Sequence, residues 1–181
     1  MAIPYTKQVW ADADVTKPVS AARMNTLEQA AFDAHYMPSV RVTHSANQSI
    51  ANSTNTALAF NTESFDQASN TPDTQHDTVT NNSRLTARYA GVYDIRAQIE
   101  WAASATAQRS LAIRINGATQ IALVSQDASA GGTTSQICAV HYALAVNDYV
   151  EVIVFQNSGG ALNVLTTTNV IGPAFSMVRV A

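Results

Sequence analysis

The residues with chemistry in them lie scattered. The four histidines are His35, His44, His76 and His141, and no pair has a zinc-type spacing such as His-Glu-x-x-His. His44 reads as an ordinary strand residue. His141 falls in a strand apolar on both phases. Three copies of it meeting at one axis would be able to hold an anion or a metal, but a histidine packed in an interface is the plainer reading. Glu63, Asp66, Asp73 and Asp77 surround a 66–77 segment rich in Asn, Ser and Thr. Carboxylates so grouped can ligate calcium, which makes Asp66, Asp73 and Asp77 the candidate ligands and a solvated loop the alternative. No EF-hand pattern is present, and Asp12-Ala13-Asp14 lacks a glycine turn. A glycosidase needs two positioned carboxylates. Glu100 and Glu151 are the ones strand phase brings to mind, yet Arg partners such as Arg96 or Arg114 fit them better. Gly-x-Ser-x-Gly, P-loop and Rossmann patterns do not occur. The expectation is no catalytic residue, no resident metal, no cofactor and no enzyme.

Composition narrows the partners. The chain has 181 residues, 46% hydrophobic, only 13% charged, with a net charge of -3. Globular domains usually carry about 25% charged residues. Here Thr, Ser, Asn and Gln supply the polarity, and no lysine follows Lys17. Such a surface suits an extracellular particle or contact with carbohydrate. No basic stripe argues for nucleic acid. Cys138 is the one cysteine, so it forms no intrachain disulfide, and its apolar run makes it a small packed hydrophobe. MAIPYTKQVW is not a secretory signal, and no stretch approaches 18 apolar residues, so neither export by that route nor membrane insertion is expected.

The elements that must position these residues fall into two regions. Residues 1–37 make an attachment segment and helical stem, and residues 38–181 a head. Ser20 is a good N-cap after Pro18, and Pro38 stops the helix, predicting helix over 20–36. Its seam runs Ser20, Met24, Leu27, Ala31 and Ala34, in steps of four and three as in a coiled coil. A helix this short is marginal alone. Either a partner stem or its own head must cover the seam, and the narrowness of the stripe favours the stem.

The head has period two throughout. Val40 and Val42, Leu85 to Tyr89, Tyr93 to Trp101, Leu111 to Ile115, Thr134 to Ala145, Tyr149 to Phe155 and Phe175 to Val180 all read as strands. Asn116-Gly117 predicts a hairpin, and Asn147-Asp148 a turn into Tyr149. About ten strands with close turn signals predict an all-β sandwich. Arg41, Arg84, Arg88 and Arg109 are placed on outward phases. In 137–144 and 149–155 both phases are apolar, where a sandwich strand normally has one wet face. A covering loop would explain this. An oligomer interface explains it together with the helix seam, and picks out Met24, Leu27, Ala31, Tyr142, Tyr149, Ile153 and Phe155 as interface residues.

Two segments carry resemblances. Asp77-Thr78-Val79-Thr80-Asn81, Leu85-Thr86-Ala87, Gly91-Val92-Tyr93, Asn147-Asp148-Tyr149-Val150 and Phe175-Ser176-Met177-Val178 resemble, in order and spacing, the complement-type globular head of the tumour-necrosis-factor superfamily. Asn147 stands where that family usually has Gly. The resemblance implies a ten-stranded jelly roll that forms a tight homotrimer, with aromatic and aliphatic side chains along the threefold axis. Trp10 and Pro18-Val19-Ser20-Ala21-Ala22-Arg23-Met24-Asn25 resemble a segment found near the start of phage tail, fibre and adhesin subunits, though Ala13-Asp14 departs from the usual Asp-Gly. That implies a bacteriophage virion protein, assembled in the host cytoplasm. It would be joined to other virion proteins through its N-terminus and present a trimeric head. The head would serve host-surface or glycan adhesion through polar loops at 51–56, 66–83, 126–134 and 157–172. The alternatives are a purely structural trimerisation or decoration module and, further off, a polysaccharide depolymerase.

Overall fold

The structure, a computed structural model, describes residues 23–28, 31, 37–67, 74–166 and 172–180. Arg23–Glu28 and Ala31 are helical, inside the predicted stem. The rest of the predicted stem and the attachment segment lie outside the described residues. So does Asp73.

Among the described residues there are twelve strands: β1 (Ser39–Thr43), β2 (Gln48–Ile50), β3 (Thr56–Ala57), β4 (Thr62–Gln67), β5 (Arg84–Thr86), β6 (Gly91–Trp101), β7 (Gln108–Ile115), β8 (Thr119–Asp127), β9 (Thr134–Leu144), β10 (Tyr149–Gln156), β11 (Leu162–Val164) and β12 (Ala174–Arg179). Three of these were not read from the sequence: β2 and β3 are only three and two residues long, and β4, exposed at five of its six positions, carries no buried alternation.

The strands form two antiparallel sheets. One has seven strands, ordered β2-β11-β6-β12-β1-β4, with β9 on the other edge of β6; the other has five, β3-β10-β7-β8, with β5 also on β10. The long strand read from Tyr93 to Trp101 is the spine of the first sheet. It pairs with β9 along its whole length and with β12 from Tyr93 to Gln98. Alternation then sets the core. Tyr93, Ile95, Ile99 and Trp101 of β6, Phe175 and Met177 of β12, and Val40 and Val42 of β1 are fully buried. They face Leu111 and Ile113 of β7 and Val150, Val152 and Val154 of β10, also fully buried. Burying a side chain of this size contributes about 1.5–3 kcal/mol, so the core needs no disulfide. Cys138 is a free, buried thiol, and burial raises its pKa.

The turns follow their chemistry. Asn116 and Gly117 both have positive φ, 50° and 69°, and close the β7–β8 hairpin through Ala118 N–H donating to Ile115 O at 3.1 Å. A Cβ on Gly117 would stand 2.9 Å from the Tyr149 hydroxyl, a second reason for glycine there. Asn147 has φ 70°, a left-handed conformation that Asn tolerates and Gly adopts freely. Asp148 accepts from Ala145 N–H at 2.7 Å.

That turn corrects the expectation that 137–144 and 149–155 present their second faces to one common interface. It carries the chain across the sandwich, so β9 and β10 lie in opposite sheets and are not a pair. The two strands then differ: β10 is largely buried on both phases, whereas the outer phase of β9 is exposed within one chain.

Candidate functional site

The outer phase of β9 holds Ile137, Ala139, His141 and Ala143, all exposed; Ile137 is 60% exposed. The inner phase holds Cys138, Val140, Tyr142 and Leu144, which pack on the core. Among the described residues β9 is also an edge strand, its backbone ladder made with β6 alone. Natural edges of this length are usually blunted by charge or proline. TSQICAVHYAL has neither, apart from His141. Beside it on the outer face of β6 are Val92, Asp94, Arg96 and Gln98, in register with Ala143, His141, Ala139 and Ile137. Asp94 lies 2.7 Å from Arg96 Nη2 and 3.7 Å from His141 Nε2. The contact raises the Arg96 pKa, first through its hydrogen bond to Asp94. This face thus offers a small-residue strip flanked by one compact charged group.

The residues assigned to an interface from sequence do not make one surface. Tyr142 points inward against the core. Tyr149, Ile153 and Phe155 lie on the outer phase of β10 in the other sheet. Tyr149 lies beneath the Arg84 guanidinium, 4.1 Å from its ring centre. Ile153 is 8% exposed within one chain, flanked in register by Ala57 and Ala112. The reason is the sheet-crossing turn, which sequence alone did not reveal. Met24 and Leu27 are each 44% exposed, and Ala31 is exposed, so the described part of the helix seam is uncovered within one protomer.

A second feature is a polar cleft of about 230 Å³ beside β5, lined by Gln75, Asp77, Asn81, Arg84, Arg88 and Tyr149 among others. Its wall is built by local hydrogen bonds. Asp66 accepts from Gln75 N–H at 2.8 Å and His76 N–H at 3.0 Å. Asp77 Oδ1 accepts from Val79 and Thr80 N–H, both at 2.8 Å, which lowers its pKa. His76 spans Glu63 at 2.9 Å and the Asn82 carbonyl at 3.2 Å. The two described members of the calcium candidate, Asp66 and Asp77, are thus each engaged with separate backbone amides. Among the described residues no cluster of three or more His, Cys, Asp or Glu is placed to hold a metal.

The buried Glu151 meets Arg114 at 3.1 Å, as the sequence led one to expect, and also Arg84 at 3.4 Å and Ser83 Oγ at 2.9 Å. The suggested Glu100–Arg96 contact is replaced by Arg96–Asp94. Four strand residues span roughly 13 Å, two only about 7 Å, so the nearer carboxylate wins. Arg41 is exposed and Arg84 and Arg88 are half-buried. Arg109 overturns its outward placement: it is 0% exposed. It shares the odd-numbered phase of Leu111, Ile113 and Ile115, all core residues, and that phase was the signal available in the sequence.

The third feature is the end of the sandwich remote from where the chain enters β1. Segments 51–55 (ANSTN), 102–107 (AASATA), 128–133 (ASAGGT) and 157–161 (NSGGA) gather at the Trp101 end, and none carries a charge. Most are stitched together: Gly159 N–H donates to Asn52 Oδ1 at 2.8 Å, Thr106 Oγ1 to Ser158 O at 3.3 Å, and Ala128 N–H to Ala107 O at 2.8 Å.

Neither a family model nor a curated protein matches this sequence. Solved structures do match in fold. Murine APRIL at pH 5.0 superposes with a TM-score of 0.60 at 11% identity, over 80% of this chain and 99% of that one. Eiger TNF from S. frugiperda gives 0.56 at 12% identity, over 80% and 93%. With its two antiparallel sheets, the head is a TNF-like jelly roll.

Proposed function

We propose that this chain is a non-enzymatic, homotrimeric virion protein of a bacteriophage, whose head contacts the host surface. The observation that carries the trimer is the uncharged, exposed edge strand β9 with Ile137 at its outer face. A second copy covering it would remove both an exposed apolar strip and an open sheet edge. The exposed Met24 and Leu27 seam supports the same association through the stem. Closed threefold symmetry satisfies every copy with one kind of contact. The TNF-like fold is in keeping with such assembly.

Host contact rests on the charge-free apex. The chain enters at the opposite end, so a stem fixed to a particle presents these loops outward. Hydroxyl and amide groups on a hydrogen-bonded frame can bind sugars without large ordering cost. The purified protein is expected to bind whole host cells or a glycan array. Deleting 38–181 is then expected to abolish adsorption while particles still form. Adsorption unchanged by that deletion would remove the adhesion reading. Loss of particle integrity with adsorption intact would instead leave the structural decoration reading. Capsule degradation by the purified protein would overturn the non-enzymatic assignment.

A further inference from the structure

The polar cleft of about 230 Å³ lies where β5 meets the start of β10, at the end of the sandwich away from the charge-free apex. It is smaller than the roughly 300–1,000 Å³ of a drug-sized pocket, which leaves room for one sugar ring. No aliphatic side chain lines it. Two guanidinium groups do, and both arginines are half-buried, so the cleft is open to solvent. Arg88 Nε donates to Thr74 O at 2.7 Å, and its two Nη groups make no hydrogen bond among the described residues. Arg84 lies over the Tyr149 ring at 4.1 Å and donates through Nε to Glu151 at 3.4 Å. Those two contacts fix the plane of its guanidinium and leave its Nη groups without a hydrogen bond among the described residues.

The carboxylates nearby are turned to other donors. Glu151 is shared with Arg114 and Ser83. Glu63 meets the His76 ring, and Asp66 accepts from Gln75 and His76 N–H. Asp77 is the one carboxylate among the lining residues, and its Oδ1 is taken by the Val79 and Thr80 amides. The Thr80 hydroxyl and the Asn81 amide, both exposed at the cleft, make no side-chain hydrogen bond among the described residues. The cleft thus holds unused cationic donors beside unused hydroxyl and amide groups.

We propose that this cleft binds a carboxylate-bearing sugar, a uronic-acid unit of an acidic glycan. Arg88 takes the carboxylate through paired, charge-assisted hydrogen bonds, with Arg84 beside it. Thr80, Asn81 and the second oxygen of Asp77 meet the ring hydroxyls as donors and acceptors. A phosphate dianion would face the Asp77 charge and leave the hydroxyl partners idle. A peptide carboxylate would find none of the side-chain pockets by which peptide grooves gain specificity. The site is separate from the apex, so it goes beyond the adhesion reading and does not rest on it.

The test uses the full chain and ligand-observed saturation-transfer NMR with methyl β-glucuronide, methyl β-glucoside, inorganic phosphate and N-acetylglutamate. The glucuronide should bind saturably, and the glucoside about tenfold or more weakly, as loss of a charge-assisted contact implies. Arg88→Gln should weaken the glucuronide by a similar factor with an unchanged circular dichroism spectrum. If R88Q does not fold, Asn81→Asp serves instead, since Asp also tolerates the positive φ of 55° there; its added carboxylate should weaken the glucuronide too. No binding of the glucuronide, equal binding of the glucoside, tighter binding of phosphate or N-acetylglutamate, or undiminished binding by the folded variant would overturn the proposal. Whole-cell binding retained by R88Q would leave the apex reading standing whatever the sugar titration shows.

Discussion

Replacing Ile137 by Glu separates association from folding. Complete burial of an isoleucine is worth about 1.5–3 kcal/mol. Ile137 is 60% exposed in one protomer, so covering that surface contributes about 1–2 kcal/mol per copy by the same coefficient. Across three equivalent contacts the apolar loss alone is about 3–6 kcal/mol, two to four decades in the assembly constant. A carboxylate carried into the contact adds its desolvation. The fold itself should survive, because Ile137 faces away from the core and its neighbours Gln136 and Cys138 make the inward contacts. Light scattering at micromolar concentration should give the wild type three times the 19.3 kDa chain mass. The variant should move to, or well toward, the single-chain mass with an unchanged β-type circular dichroism spectrum. A variant that keeps the trimer mass would show that β9 is not the contact. A variant that unfolds would show that the phase of β9 is misassigned.

Four further outcomes follow from named contacts. Val152 is fully buried between the sheets, so Val152→Asp should unfold the head rather than merely dissociate it, at a cost of at least several kcal/mol; a folded monomer by circular dichroism would contradict this. Burial holds the His44 imidazole below its ordinary 6.5, against a smaller upward pull from the Ala59 carbonyl. The folded state then binds fewer protons than the unfolded one, so stability is full above about 6.5 and falls as pH drops toward the folded-state value. His44→Phe should flatten that slope in urea midpoints measured against pH, and an identical slope would discount His44. Gly117→Ala should cost about 1–2 kcal/mol, from its positive φ and the Tyr149 hydroxyl; an unchanged Tm would argue against the hairpin geometry. Removing residues 1–37 should leave the head trimeric by sedimentation, and a monomeric head would assign the assembly to the stem.

Much of the fold was legible because period two is written strongly in this chain. Tyr93 to Trp101 named its own buried face, and Asn116-Gly117 named its turn. The failures come from pairing, which is non-local. Nothing in Asn147-Asp148 distinguishes a hairpin from a turn that crosses between sheets, so Tyr142 and Ile153 were grouped although they lie in different sheets. For β9 both phases are apolar, and only the ladder with β6 decides that Cys138 faces in and Ile137 out. Arg109 was legible by phase but misread by type, since a charged residue on a core phase is rare. The cleft was only half visible. The 66–83 loop was picked out for its polarity, whereas the Glu63–His76 contact joins residues 13 positions apart and no spacing announces it.

Cryo-electron microscopy of the purified full chain addresses the assembly most directly. A threefold particle with Ile137, Ala139 and His141 of each copy covered by its neighbour, and the charge-free loops at the end away from the stem, is the predicted result. Single sandwiches with the outer face of β9 open to solvent would contradict it.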